Sequence, residues 1–433
     1  MSKLTPLNLQ QRSMHAGEVL ARADGGARAR SLYIHVPFCF HKCHYCDFYS
    51  FVDNQDRQAA FVETLGKELR AIAPWAEAIE TVFVGGGTPT LLAVDLWKRL
   101  LDVLHDAYDL AASCEFTVEC NPETATPELM RTLRTGGVNR ISIGAQSFEP
   151  RHLKTLERWH EPTSVAKAID IAREAGIGRQ SIDLIFAIPG QTLDEWQCDL
   201  DAALALELKH LSCYALTYEP NTAMTKRLER GEFARTDEDV EAGMYEATVE
   251  RLRAAGLERY EVSNFARIGS ECRHNMAYWR QEPWLAAGPS GSGHFAGWRW
   301  KNVPRLTEWI EGVNATGFAP VVDVEAPDAK RALAERLMTA VRLREGFEEA
   351  EMMERAQVLG VDGPLARALE KHAANGRLCR PGSTSKSGHP ERTTLSHGER
   401  EQERATIAPT DLGFLFADEV ASDLIQATCG SDR

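Results

Sequence analysis

From residue 31 to about residue 220 the chain alternates short apolar, β-branched runs with longer stretches whose apolar residues recur every three or four positions. The runs predict strands at Leu32–Val36, Thr81–Val84, Glu115–Glu119, Arg140–Ile143, Ser181–Ile185 and His210–Ala215. The stretches between them predict helices, among them Gln58–Ile72, Leu91–Ala107, Pro127–Gly136 and Ser164–Ala175. Alternation of this kind argues for a parallel sheet with helical crossovers. The expected fold class is α/β, a partial (β/α)6 barrel of TIM type with a smaller, mainly helical C-terminal domain. A doubly wound sheet is the other arrangement. It is disfavoured because the glycine-rich loop follows the second strand and no G-x-G-x-x-G opens the first helix.

The texture changes near residue 225. Asp237–Ala254 predicts a helix, followed by Tyr260–Asn264 and an aromatic, glycine-rich stretch from Tyr278 to Trp300. Helical spacing returns at Ala326–Arg344 and Phe347–Leu359, and Thr410–Ala427 closes with an amphipathic helix. Residues 380–405 are polar and rich in Pro, Gly and Ser, the composition of a flexible insertion. The organisation expected is a flexible lead over residues 1–30, a barrel over 31–225, an extension over 226–325 and a C-terminal domain over 326–433.

A length of 433 residues accommodates that plan. The formal net charge of −14 offers no broad electrostatic grip on phosphates, so no nucleic-acid partner is expected. No run of 18 apolar residues occurs, so no membrane span is expected. The first residues lack an apolar signal core, and a cytoplasmic location is expected. Seven of the ten cysteines (Cys114, Cys120, Cys198, Cys213, Cys272, Cys379 and Cys429) are scattered singly, which is no disulfide framework.

The other three, Cys39, Cys43 and Cys46, lie together as C-x3-C-x2-C directly after the first strand. A cubane iron–sulfur cluster usually takes four thiolates, so three leave one iron open to another ligand. Three close cysteines with His41 or His44 also carry the chemistry of a structural zinc, but zinc motifs usually pair two C-x2-C knuckles and no second knuckle is present. The motif resembles that of the radical S-adenosylmethionine (SAM) superfamily. The resemblance implies a [4Fe–4S] cluster on the three cysteines, with the SAM amino and carboxylate groups on the open iron.

Further polar residues sit at the ends of the later strands. Gly85-Gly-Gly-Thr-Pro follows the second, and its glycines let the backbone approach a ligand and expose N–H groups. Glu119 ends the third strand and Gln146 follows the fourth. Arg158 has a fork suited to a carboxylate, and Asp183 lies in the fifth strand. Their order and spacing resemble the coproporphyrinogen III oxidase-like branch of the superfamily, from about Tyr33 to Pro220 and again near residues 260–300 and 330–347. The resemblance implies SAM contacts for Tyr33, Tyr45, Gly86, Gly87, Thr88, Glu119, Gln146, Arg158, Asp183 and Thr217.

That branch contains oxygen-independent oxidases, which decarboxylate two propionates of coproporphyrinogen III, and heme chaperones, which bind heme and pass it on. The oxidases carry a fourth cysteine two residues after the third, where this chain has Phe48. They also carry a longer arm before the motif. Arg273-His-Asn-Met-Ala-Tyr-Trp matches the H-N-x-x-Y-W motif associated with heme binding in the chaperones. His274 has a nitrogen for heme iron, with Cys272 as a rival ligand, and Tyr278 and Trp279 can pack on a macrocycle. The same residues could instead anchor a loop onto the barrel. Downstream, Trp284-Leu-Ala-Ala-Gly-Pro-Ser-Gly-Ser-Gly-His departs from the more usual run of the family and displaces His294, which is left unassigned. The resemblance implies heme and heme-receiving proteins as partners and leaves room for a homodimer, and the acidity of the chain leaves membrane contact at most transient.

Overall fold

The computed structural model describes residues 14–23, 25–380 and 406–430. Six parallel strands appear where the apolar runs place them: β1 Ala29–Val36, β2 Ala76–Gly86, β3 Leu110–Cys120, β4 Arg140–Gln146, β5 Arg179–Phe186 and β6 His210–Ala215. They pair in chain order and form the partial barrel. Near-continuous burial along β1 and β5 explains their unbroken apolar character, since strands of such a sheet are covered on both faces. The crossover helices Gln58–Ile72, Val94–Ala107, Pro127–Thr135, Pro162–Glu174 and Leu193–Leu204 cover the outside. Local chemistry sets their starts. Thr126 caps one helix ahead of Pro127, and Thr192 with Glu195 forms a capping box on another.

Residues 226–325 form no separate body; they extend the same sheet at both edges. The short strands β7 (Glu258–Arg259) and β8 (Asn264–Ala266) add beyond β6. On the other edge, β9 (Trp284–Ala287) pairs parallel to β1, Ser31 against Trp284 and Ile34 against Ala287. The antiparallel strands β10 (Ser292–Phe295), β11 (Trp298–Asn302) and β12 (Val321–Glu325) follow. β9 is thus a seventh parallel strand, hidden in the aromatic, glycine-rich stretch. Gly288 ends it with φ +92°, and a Cβ there would meet the His35 carbonyl oxygen at 2.3 Å.

The reading of residues 1–30 as a mobile lead is corrected over its described part. Ala16–Ala23 is a helix with Val19 and Leu20 buried. Eight residues cannot hold a helix alone. This one is pinned by Ala16 N–H to the Ala319 carbonyl (2.9 Å) and Val321 N–H to the Met14 carbonyl (2.8 Å). The C-terminal region has its own core, built on Leu337, Met352, Leu365 and Leu424. Beside its helices it holds a small sheet of Phe347–Glu348, Thr406–Pro409 and Leu378–Cys379. The single closing helix expected at Thr410–Ala427 is two, Asp411–Leu415 and Ala417–Cys429, meeting at Phe416. The flexible insertion expected at 380–405 lies outside the described residues from position 381 onward.

Glu68 locks β9 onto the barrel. Its buried carboxyl accepts from Gly288 N–H (2.8 Å), Trp309 Nε1 (3.1 Å) and Asn302 Nδ2 (2.9 Å). Burial pushes its pKa up to about 7 against these three donors, which pull it down. A carboxyl that binds its proton more tightly when folded adds stability below its unfolded pKa, and that stability is lost as pH rises through the folded one. In Glu68→Gln the pH dependence between about 4.5 and 7 is expected to flatten. Wild type should lose stability relative to the variant across that window, by at most about 1.4 kcal/mol per pH unit. Urea denaturation at a series of pH values measures this; parallel curves would refute it.

Candidate functional site

The three cysteines lie on the loop leaving the C-terminal end of β1, the face where barrels carry their sites. Cys39 N–H donates to the Phe51 carbonyl and Phe51 N–H to the Pro37 carbonyl, each at 2.9 Å, which closes the loop. The Thr88 hydroxyl points at Cys39 Sγ (3.8 Å) and an Arg158 Nη at Cys43 Sγ (3.7 Å). Burial pushes the Cys39 and Cys46 thiols up, Cys46 to about 11, so loading a metal group releases protons.

Among the described residues no three Cys, His, Asp or Glu side chains converge on the position of a single metal ion. Neither nearby histidine turns to the cysteines. The His41 ring stacks on Trp159 at 4.0 Å, and His44 Nδ1 faces Arg227 at 3.3 Å. A hydroxyl and a guanidinium directed at the sulfurs of Cys39 and Cys43 suit an anionic iron–sulfur cluster.

The barrel interior behind this loop carries the other candidates. Tyr33 sits inside β1, its hydroxyl bonded to His35 Nδ1 (3.1 Å). The Glu119 carboxylate accepts from Gly86 N–H at 3.0 Å. Asp183 accepts from Ser142 Oγ at 3.2 Å. Burial raises both carboxyls, Glu119 to about 7, and the charge of Asp183 adds to the rise at Glu119. Two half-buried carboxyls that repel each other, with the Thr117 hydroxyl buried on β3 and lacking a partner, suit a ligand that carries positive charge and hydroxyls. SAM has both.

Gly87 lies against the cluster loop. A Cβ there would meet the Phe38 carbonyl oxygen at 2.6 Å, so the close approach needs glycine. Arg158 donates to the Gly144 carbonyl (2.6 Å), while its Nε is buried without a partner. Gln146 leaves β4 at a register shift with φ +65°, a conformation uncommon outside glycine. Tyr45 is half-buried near Arg158 and the cysteines, and desolvation pushes its hydroxyl pKa far up. Thr217 stands apart. It is exposed beyond β6, with its hydroxyl on the Ala215 carbonyl at 3.4 Å.

Sequence reasoning missed two supports. Asp199, on a crossover helix, accepts from Ser147 Oγ (2.7 Å) and Phe148 N–H (2.6 Å) and so fixes the turn that carries Gln146. No sequence signal marks it. The second is a ring of polar side chains at the barrel floor: Ser31, Thr81, Glu115, Arg140, Ser181 and His210, one from each of β1 to β6 and none more than 3% exposed. The signal was a polar residue opening each apolar run.

His274 belongs to that floor. The helix Arg273–Trp279 plugs the N-terminal end of the barrel, opposite the cysteines. The His274 ring is 0% exposed. Its Nδ1 pairs with Thr81 Oγ1 at 2.8 Å, and its Nε2 has no partner. Phe83 stacks on it at 5.3 Å and Tyr278 meets it edge-on at 4.7 Å. Burial lowers its pKa to about 3, so it is neutral. The ring is walled in by these neighbours, with Nε2 the one polar atom left unpaired. Cys272 precedes the helix as its N-cap residue. It is buried, its thiol faces a Glu115 carboxylate oxygen at 3.6 Å, and burial pushes its pKa to about 12. Tyr278 packs on Trp284 at 4.4 Å rather than on an open surface.

Residues 33–202 match the model of the radical SAM superfamily. The chain is 39% identical over 358 residues to the heme chaperone HemW of Mycobacterium tuberculosis, a match covering 80% of this chain and 91% of that one. It is 34% identical over 355 residues to the heme chaperone HemW of Bacillus subtilis, covering 81% and 92%. Among solved structures, coproporphyrinogen III oxidase (HemN) of Escherichia coli superposes with a TM-score of 0.78 over 94% of this chain and 92% of that one. At 20% identity this likeness shows the fold.

Proposed function

The chain belongs to the HemW heme chaperone family of radical SAM proteins, and from that premise we propose that it binds heme and transfers it to recipient proteins. What carries the reading is the reach of the likeness, which spans nearly the whole length of named heme chaperones. Phe48 supports it. This exposed phenylalanine stands where the oxidase resemblance calls for a fourth cysteine.

In this reading Cys39, Cys43 and Cys46 hold a [4Fe–4S] cluster, which when bound supplies a low-potential electron and an open iron for SAM. Arg158 and Thr88 direct hydrogen-bond donors at the sulfurs of Cys43 and Cys39, which would hold the cluster. Gly86, Gly87 and Gln146 present backbone and amide groups to SAM. Glu119 and Asp183 offset its positive charge, and Tyr33 and Tyr45 line its pocket. Thr217 reaches it only if the segment after β6 closes. The partners are heme, the proteins that receive it and a second copy of this chain. Among the described residues no helix is long and apolar enough to cross a membrane. The reading places the protein in the cytoplasm, with membrane contact at most transient.

The test is an anaerobic heme titration of the cluster-loaded protein, followed by mixing with an apo-protein acceptor. Saturable, stoichiometric binding and appearance of the acceptor's holo spectrum are expected. A rise without saturation, with SAM-dependent turnover of coproporphyrinogen III, would replace the chaperone by the oxidase.

A further inference from the structure

Residues 216–236, which follow β6, form a strap on the cysteine side of the barrel. Both ends are tied to the end of β5. Leu216 N–H donates to the Phe186 carbonyl and the Thr236 hydroxyl to the Ala187 carbonyl, each at 2.9 Å. The middle is the helix Ala223–Glu229, whose cap Thr222 accepts from Thr225 N–H at 3.2 Å. Seven residues cannot hold a helix alone, so this one depends on what it packs against.

Its support is the cysteine loop. His44 stands between Cys43 and Cys46 in the chain and is bonded to the helix from both its backbone and its ring. Met224 N–H donates to the His44 carbonyl at 2.9 Å. An Arg227 Nη meets His44 Nδ1 at 3.3 Å, with Nδ1 accepting, since a guanidinium only donates. Arg227 is itself held, its Nε on Glu232 at 2.9 Å. The Met224 side chain is 0% exposed and packs with Leu156, Ile185, Ile188 and Leu216. Tyr45, the neighbour of His44, borders the same apolar patch. A metal group that joins three thiolates fixes the loop between them, and the free energy of loading is then also free energy of local folding. The strap is the element placed to receive it.

We propose that the strap is keyed to the iron–sulfur cluster: loading of Cys39, Cys43 and Cys46 fixes His44, His44 docks the helix Ala223–Glu229, and the docked helix holds Tyr45 at the SAM pocket. Met224 and Arg227 are then positioning residues, which act on the site through His44 and Tyr45. The inference rests on the iron–sulfur and SAM reading of the site and adds its order of assembly.

Hydrogen–deuterium exchange of the full-length protein tests it, cluster-loaded and after anaerobic chelation, with iron analysis of each sample. In wild type the amides of the helix Ala223–Glu229 are expected to exchange on the order of tenfold more slowly when loaded, with the amides of β3 unchanged as the control. Arg227→Met keeps an apolar stem and loses the donor to His44, and its melting temperature is expected to match wild type. Its loaded and chelated forms should differ by less than about twofold at the same amides, and bound SAM should leave it on the order of tenfold faster than wild type. Lys226→Met removes an exposed charge one residue away and should behave as wild type. Equal exchange in loaded and chelated wild type would overturn the coupling while sparing the cluster. Unchanged SAM release from Arg227→Met would overturn the link to the SAM pocket. Failure of wild type to retain iron would overturn both the coupling and the reading beneath it.

Discussion

Serine at any one of Cys39, Cys43 or Cys46 is expected to abolish reconstitution of the iron–sulfur centre, with iron and sulfide falling from about four per chain to near zero. His41 is stacked on Trp159 and His44 faces Arg227, so each would have to leave that contact before it could stand in for a lost thiolate. Cys120 ends β3 on the same side of the barrel, but it is buried with its thiol on the Asn121 carbonyl at 3.2 Å. Cys120→Ser is therefore the control that should load normally. Iron and sulfide analysis with the electron paramagnetic resonance signal of the reduced protein reads the outcome. Full loading of a Cys43→Ser protein would remove the cluster from this loop.

Glu115→Ala is expected to destabilise the protein by about 3–5 kcal/mol, the cost of stripping one partner from a buried ion pair. Glu115 is the hub of the floor. Its carboxylate accepts from Arg140 Nε (3.2 Å) and Arg179 (3.1 Å). It also accepts from the backbone N–H groups of Arg273 (2.8 Å) and His274 (3.3 Å). Those two amides open the motif helix, whose N-cap residue, Cys272, offers no side-chain cap. A carboxylate from β3 thus caps a helix more than 150 residues away in the chain. It also sits at the helix end that favours negative charge. The alanine variant loses the cap and leaves Arg140 buried without its counter-ion. Glu115→Gln, which keeps an acceptor, should cost less. Urea unfolding measures both; a loss under about 1 kcal/mol for alanine would show that Arg140 is satisfied by the Ser270 and Glu271 carbonyls alone.

The barrel was legible because its signal is repeated. Six buried strands, each read from its own few residues, need no knowledge of one another to be located. The cysteine loop was legible because a cluster demands ligands of one type at close spacing. The rest depends on distant partners. The helix Ala16–Ala23 is too short to announce itself and exists through the turn near Ala319. β9 reads as only four residues, Trp-Leu-Ala-Ala, and its register against β1 makes it a strand. His274 illustrates the same limit at the site. The sequence places His274 in a motif, yet which side of its helix faces the barrel follows from Thr81, Phe83 and Tyr33, all on other elements. Asp199 left no trace, because its role is set by the backbone it supports.

The pairing of β1 with β9 also orders events during synthesis. β1 is complete at residue 36, but the strand that covers its outer edge emerges roughly 250 residues later, some 10–50 s at about 5–20 residues per second. Until then the nascent barrel presents an unpaired parallel edge, the kind of surface that recruits other chains. Closing it requires a contact of very long sequence separation, and such contacts form slowly. Glu68, already in place on its helix, waits to receive Gly288. The last strand of the sheet to pair with β1 is thereby the step that commits the chain to its native form, and a protein halted before residue 284 carries every cluster cysteine on a barrel still open at its first strand.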